Sequence, residues 1–340
     1  MENPWHNKRI LITGVSGTVG SELLKQLVQK APLEIIGLDN NESAIFFQDV
    51  AYKNLSNINF YMCDIKKQTQ LNRYFKGVDV VIHSAARKHV ILCEKAPNEA
   101  VETNILGTQN VINAAIDNNV ERVIFTSSDK AVNPTNVMGT SKLMGERLMT
   151  SANALKRGQG PIFASTRFGN VLGSNGSVIP LFKRQILAGG PVTLTDEGMS
   201  RFVMTLDEAA SLVMDSVFIA KGGEVFVTKM PAILIKDLAT AMVEIFQERG
   251  EIKTAVDIKI IGAKPGEKLY EELINEEEIR RTYEIEKYFA VLPAFKAVYA
   301  DIDYTFDIEK KQVDRIYRSD LKNVMSKDEL KNYLITKKLV

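Results

Sequence analysis

Arg9-Ile10-Leu11-Ile12-Thr13-Gly14-Val15-Ser16-Gly17-Thr18-Val19-Gly20 is the stretch on which the reading of this chain turns. Its first half is a short apolar run, the pattern of a strand buried on both faces. Gly14, Gly17 and Gly20 follow at regular spacing and lead into an amphipathic segment over 21–30. Glycine lets the backbone turn tightly and approach a pyrophosphate. The helix start behind it offers N–H groups and a positive dipole end to the anion, with Ser16, Thr18 and Val19 in the same loop. A glycine triplet alone is weak evidence. Here a strand precedes it, a helix follows, and an acid, Asp39, ends the next strand in Gly37-Leu38-Asp39-Asn40. A carboxylate there accepts hydrogen bonds from ribose hydroxyls and repels a 2′-phosphate. No arginine follows it, so the sequence predicts NAD as cofactor rather than NADP.

Outward from this motif, short apolar runs alternate with amphipathic segments. Strands are predicted at 9–13, 34–38, 59–63, 78–83, 122–126 and 162–168, and helices at 21–30, 68–75, 100–118 and 141–156. The series predicts an α/β fold: a doubly wound parallel sheet with right-handed crossovers. Asp64 and Ile65, after the third strand, are expected beside the adenine. Ala85 and Ala86, after the fourth, let the cofactor pass close to the backbone. Beyond about residue 170 the pattern loosens at Gly173-Ser174-Asn175-Gly176-Ser177 and Gly189-Gly190-Pro191. Helices are predicted at 206–220 and 235–247, strands at 225–228 and 258–261. The expected organisation is a NAD-binding domain over 1–170, to which about 206–230 returns, and an interleaved, smaller C-terminal substrate lobe over 171–280. A charged extension over 281–340 carries a strand-like stretch at 289–300 and a final helix at 327–337.

The 340 residues are 45% hydrophobic and 25% charged, ordinary for a chain with a sizeable core. A net charge of +1 creates no field that draws in nucleic acid or an anionic membrane, so neither is an expected partner. Cys63 and Cys93 form neither a CxxC pair nor a disulfide framework and read as buried thiols of a reducing cytosol. The first residues do not read as a signal peptide, and no apolar run reaches about 18 residues. A cytoplasmic enzyme is expected. No His/Cys/Asp/Glu spacing suggests a metal site. His6 and His83 carry no signal.

The chemistry concentrates in Thr126-Ser127-Ser128-Asp129-Lys130-Ala131-Val132-Asn133-Pro134-Thr135-Asn136-Val137-Met138-Gly139-Thr140-Ser141-Lys142, after the fifth strand. Doubly wound folds bind ligands at that carboxyl edge. The spacing resembles the short-chain dehydrogenases, in which Tyr-x-x-x-Lys opens a helix. Lys142 is present, but Met138 holds the tyrosine position, and a thioether takes no proton. Ser-Asp-Lys-Ala followed by Asn-Val-Met-Gly-Thr-Ser-Lys resembles the UDP-N-acetylglucosamine 4,6-dehydratases, extended members of that group in which both Tyr and Met versions occur. Ala85-Ala86-Arg87-Lys88-His89-Val90 with Cys93-Glu94 and Pro97, Thr103-Asn104-Ile105-Leu106-Gly107-Thr108, Thr166-Arg167-Phe168-Gly169-Asn170-Val171, Gly176-Ser177-Val178-Ile179-Pro180, Met199-Ser200-Arg201-Phe202 and Pro265-Gly266-Glu267-Lys268 continue the resemblance in order, over roughly residues 8–275.

The resemblance implies a sequence of steps: oxidation of the sugar at C4, loss of the C5 proton and the C6 hydroxyl as water, and return of hydride to C6. It makes Lys130 the base, Asp129 the acid, and Asn104 part of the cofactor site. Lys142 is expected to bond the nicotinamide ribose and Ser128 the C4 oxygen, with a Ser128 or water relay in place of tyrosine. Lys130 must be neutral to act; burial, Lys142 and the nicotinamide charge would lower its pKa, and an ionised Asp129 would oppose them. Met138 reads as packing in the catalytic pocket. The substrate the resemblance implies is a UDP-N-acetylhexosamine. Lys88, His89 and Glu94 are expected to face the sugar, and Asn170, Arg201 and Lys268 the diphosphate. Glu267 is assigned a ribose hydroxyl, and 178–182 (with Val178) and 191–194 the uracil walls. Asp39 and NAD lean the expectation toward retention at C5, as in legionaminic acid or bacillosamine pathways. An inverting dehydratase, a 4-epimerase and a non-catalytic NAD-binding sensor are the alternatives. Members of the family are usually homo-oligomers, and this is expected here.

Overall fold

The apolar runs become parallel strands because each residue of a run has a hydrophobic layer to enter. In the computed structural model, Ile10 and Ile12 of the first strand join one core cluster and Leu11 the other, all fully buried. Each such side chain removed from water contributes about 1.5–3 kcal/mol. The structure describes residues 3–155, 160–174, 176–254, 256–262, 266–295, 302–305, 311–320 and 324–340.

In chain order the first half runs β1 (Arg9–Thr13), α1 (Thr18–Val28), β2 (Glu34–Asp39), α2 (Glu42–Tyr52), β3 (Ile58–Met62), α3 (Gln68–Tyr74), β4 (Val80–His83), α4 (Val90–Lys95) and α5 (Pro97–Ala100). A π-helical turn, Val101–Leu106, then leads into α6 (Gly107–Asp117), β5 (Arg122–Thr126), α7 (Val137–Leu155) and β6 (Ile162–Arg167). The second half runs β7 (Asn170–Val171), α8 (Val178–Leu187), β8 (Val192–Leu194), β9 (Ser200–Met204), α9 (Leu206–Ile219), β10 (Val225–Thr228), β11 (Ala232–Leu234), α10 (Ile235–Glu248) and β12 (Ile258–Ile260). It ends with β13 (Glu272–Ile274), α11 (Glu276–Ile279), β14 (Thr282–Ile285), β15 (Tyr288–Val291), β16 (Lys311–Gln312), β17 (Tyr317–Arg318) and α12 (Lys327–Thr336).

The main sheet has the order β16-β14-β15-β10-β6-β5-β4-β1-β2-β3. From β10 to β3 it is parallel; β15 and β14 are added antiparallel. This is the doubly wound α/β fold the spacing predicts. The strand order reverses between β1 and β4, which opens a crevice at their carboxyl ends. A third core, built from α8, α10, α12 and β8, holds up the lobe beside that crevice.

The differences have physical reasons. β3 is an edge strand with Tyr61 and Met62 exposed, so it is not buried on both faces. The helix expected over 100–118 is interrupted by the π turn, after which α6 starts at Gly107. Helix α2 is absent from the predicted elements: its Phe46, Phe47 and Val50 are exposed, and only Ile45 and Tyr52 pack on the core, so its apolar residues do not mark one buried face. The strand-like stretch at 289–300 is a strand only as far as Val291; residues 296–300 lie outside the described ones.

Candidate active site

The glycine loop is shaped by contact rather than by composition. Gly14 has φ +70°, and a Cβ on it would lie 2.7 Å from the backbone of Ala85. A Cβ on Gly20 would sit 2.1 Å from the Gly14 carbonyl oxygen. The loop therefore needs glycine at both places, and it leaves the N-terminus of α1 open toward the crevice. Asp39 accepts the N–H of Ser16 on one oxygen and that of Asn41 on the other, both at 3.0 Å. With Gly14, Ser16, Gly17, Asp64, Ile65, Ala85 and Ala86 it lines a groove of about 260 Å³. The groove shares Gly14, Ser16, Gly17 and Ala86 with a cavity of about 1020 Å³ that Thr18, Val19, Gly20, Lys88, His89, Ser128, Lys130, Met138, Lys142 and Asn170 also line. A further cavity of about 580 Å³ shares His89, Lys130 and Asn170 and adds Arg201, Glu267, Lys268 and Glu271. One channel thus runs from Asp39 to Lys268, and Lys130 stands at its middle.

Lys130 and Asp129 lie in the turn after β5, where Ser128 caps the short 3₁₀ helix Asp129–Ala131. The Lys130 ammonium donates to Asp129 Oδ1 at 3.0 Å and to Asn170 Oδ1 at 3.2 Å, and lies 3.7 Å from Glu271 Oε1. Asp129 is fully buried beneath Lys130 and also accepts the Ser128 hydroxyl at 2.8 Å. Burial pushes the Lys130 pKa down, but Asp129 and then Glu271 outweigh it, and the net shift is upward. This corrects the expectation of a lysine biased to neutrality by burial and Lys142: Glu271, distant in sequence, is a second carboxylate beside it.

Met138, 4% exposed, packs with Cys93 and Ala100 at the channel wall, so the tyrosine position is sealed by sulfur and methyls. One turn on, the Lys142 ammonium donates to the Thr126 carbonyl at 2.8 Å. Burial lowers its pKa to about 8, against the opposing charge of Glu146. A lysine depressed in the folded state binds its proton later than it does unfolded. Stability therefore rises with pH between about 8 and the ordinary 10.5. We expect the urea midpoint to climb over that window, and Lys142→Met to flatten the climb.

Three expected roles move. Asn104 does not line the channel. It is buried behind the loop after β4, accepting the Arg87 N–H at 2.7 Å and donating to the Arg87 carbonyl at 3.0 Å and to Ser141 at 2.8 Å. It holds the cofactor loop from behind, because a side-chain amide can bond both backbone groups of one residue. Glu94 does not line the channel; it accepts the Val137 N–H at 2.6 Å, at the start of α7, where a helix dipole favours a carboxylate. The expected uracil walls are core: Phe182, Val192 and Leu194 are buried in the lobe, and Val178 packs against them. Arg201 lines the lobe cavity, with donors turned to the carbonyls of Ser200 and Lys268 at 2.7 and 2.9 Å. Lys268 donates to the Val132 carbonyl at 2.8 Å.

His83 was also missed. It is fully buried, and its neighbours fix its tautomer. Thr108 donates its hydroxyl to the Asn104 carbonyl at 2.7 Å, so its oxygen accepts from His83 Nε2 at 3.1 Å. Nδ1 then accepts the Thr13 hydroxyl at 2.7 Å, and the Thr13 oxygen accepts the Ala85 N–H at 3.4 Å. Burial first, and the charge of Lys142 second, push its pKa down to about 3.

A doubly wound sheet, a glycine cradle and a lobe closing over a Ser-Asp-Lys turn define an extended short-chain dehydrogenase architecture. The chain belongs to the family described as polysaccharide biosynthesis protein, which matches residues 10–293. "Uncharacterized membrane protein MJ1061" of Methanocaldococcus jannaschii is 48% identical over 86% of this chain and 88% of its own length. A "UDP-N-acetylglucosamine 4,6-dehydratase (inverting)" of Campylobacter jejuni is 36% identical over 89% and 88%. A "UDP-glucose 4-epimerase" of Rickettsia rickettsii is 36% identical over 84% and 83%. The solved structure of Pen from Bacillus thuringiensis superposes with a TM-score of 0.89 at 40% identity, covering 99% of each chain. Relatives from Staphylococcus aureus and Bacillus subtilis are matched over only 52% and 50% of their own length. Among the described residues, no helix is long and apolar enough to cross a membrane.

Proposed function

We propose that this chain is a NAD-dependent UDP-N-acetylglucosamine 4,6-dehydratase. The observation that carries the reading is the Asp129–Lys130 pair at the point where the dinucleotide cradle meets the lobe cavity. The Campylobacter relative's name supports the substrate and reaction, and the glycine contacts at Gly14 and Gly20 fit a pyrophosphate. Residues 1–170 with 206–230 hold NAD, 171–280 hold the nucleotide sugar, and 281–340 are the C-terminal extension.

NAD, when bound, supplies oxidation at C4 and the hydride returned to C6. The protein's residues do the rest. Lys142 orients the ribose, and Ser128, bonded to Asp129, relays the C4 hydroxyl proton. Lys130 takes the C5 proton, which the C4 ketone has made acidic, and Asp129 protonates the departing C6 hydroxyl. Asn170 fixes the lysine's direction. In this reading Lys130 both removes and returns the C5 proton, on one face of the ring, so we take the reaction as retaining at C5. Proton NMR of the product decides that point, and a C5 epimer would assign the chain to the inverting kind named for its Campylobacter relatives.

The test is incubation with UDP-N-acetylglucosamine and mass spectrometry. Loss of one water is the expected result. An unchanged mass with a new C4 isomer would instead support the epimerase chemistry named for the Rickettsia relative, and no conversion would overturn both. Asp39 adds a cofactor prediction. Asp39→Ala removes a charged acceptor from the ribose end of the groove, and we expect a roughly 10–100-fold loss of NAD affinity with NADP binding improved. Titration of each dinucleotide reads both.

A further inference from the structure

The Asp129–Lys130 pair has a third neighbour that the proposed mechanism leaves idle. Glu271 lies just before β13, which packs beside the Asp129–Ala131 turn. It is 3% exposed, and its Oε1 faces the Lys130 ammonium at 3.7 Å and the Arg201 Nε at 3.9 Å. Among the described residues, its Oε2 is buried with no hydrogen-bond partner, as is Asp129 Oδ2. A buried carboxylate oxygen without a donor is costly in solvation unless it accepts a proton or a donor in some working state. Glu271 also lines the lobe cavity beside Lys130, so the chain keeps this acid at the reaction's doorstep.

We propose that Glu271 is a positioning residue that takes the proton from the Lys130 ammonium and so converts it into the base. The proposal rests on the dehydratase reading. Proton transfer turns the ammonium–carboxylate pair into an amine and a carboxylic acid. The amine then removes the C5 proton and becomes ammonium again. Once that proton has been returned to carbon, Glu271 gives its own back to the lysine. No charge or electron is left over. The groups facing Glu271 are Asp129 and Lys130 from the turn after β5, Arg201 from β9, and Lys268 from its own segment. Burial and the charge of Asp129 push its carboxyl up, against Lys130, Arg201 and Lys268. Lys130 is shifted upward as well, so the resting pair is ammonium and carboxylate and the transfer runs uphill, with the upward shift of Glu271 easing it.

The experiment compares wild type, Glu271→Gln and Glu271→Asp. Two readouts are used: the ionisation of Lys130, followed by NMR of lysine labelled at Cε with Lys130→Arg as assignment control, and turnover with deuterium uptake at C5. In Glu271→Gln, removing an anionic neighbour should lower the Lys130 pKa. It should nonetheless lower kcat about a hundredfold, because the glutamine amide cannot take the lysine's proton within the channel. Deuterium uptake should fall in parallel and KM should hold within about threefold. Glu271→Asp should recover part of the rate. An unchanged Lys130 titration, or a Glu271→Gln variant with near-normal kcat, overturns the proposal. A loss confined to KM overturns it as well, because that is the mark of a substrate contact. If wild type forms no dehydrated product, the dehydratase reading fails by itself, and the NMR titration still decides whether Glu271 governs Lys130.

Discussion

Lys130→Ala is expected to lower kcat by about three orders of magnitude while the protein still binds its dinucleotide. The amine is the only cation within 4 Å of both Asp129 and Glu271 among the described ion pairs that involve Asp129. The cradle that holds the dinucleotide, from Gly14 to Asp39, makes no hydrogen bond to it. Catalysis and cofactor binding should therefore separate cleanly in this variant. Removing one member of a buried ion pair leaves the other uncompensated, at about 3–5 kcal/mol in a dry site. Lys130 keeps 23% of its side chain in contact with solvent, so the lower end of that range applies. Steady-state turnover, dinucleotide titration and a thermal melt measure the three consequences. Near-normal turnover would take Lys130 out of the chemistry.

The second large effect concerns stability. Arg167, 1% exposed at the end of β6, is held by two carboxylates. It meets Glu146 of α7 at 3.0 and 2.6 Å and Glu278 of α11 at 2.9 and 3.1 Å, and donates to the Leu273 carbonyl at 2.8 Å. Arg167→Leu strands both acids inside the protein, and we expect a loss of about 3–5 kcal/mol, read as a drop in the urea midpoint. Replacing all three residues by apolar ones of similar size should cost far less. A single variant as stable as wild type would show that the cluster holds nothing together. Burial pushes Glu278 up, yet Arg167 outweighs it and the carboxyl sits below its ordinary value. The stability it contributes is thus present at neutral pH and disappears as acid protonates it through that lowered pKa.

Much of this was legible in the sequence. The first strand, its glycines and Asp39 follow local rules, since a strand, a turn and a helix start are set by neighbours in the chain. So too the turn at Asp129–Lys130 could be placed at a strand end by counting. What escaped depends on distant residues. Glu271 reaches Lys130 only because β13 folds back beside the turn, and no spacing in the chain encodes that meeting. Asn104 falls within the helix predicted at 100–118 and Glu94 lies in α4; whether each faces ligand or backbone is decided by Arg87, Ser141 and Val137, elsewhere in the chain. Val178 and its neighbours read as a ligand wall because apolar residues line cavities and cores alike.

The row of hydroxyls around His83 has one more consequence. Every proton in it, from the Ala85 amide to the Asn104 carbonyl, points in a single direction, and a second proton on the imidazole would set two donors against each other. With a pKa near 3, the ring stays uncharged through every ordinary pH. The floor beneath the Gly14 turn therefore does not register acidity, and any pH response of the channel must originate in the other titratable groups that line it.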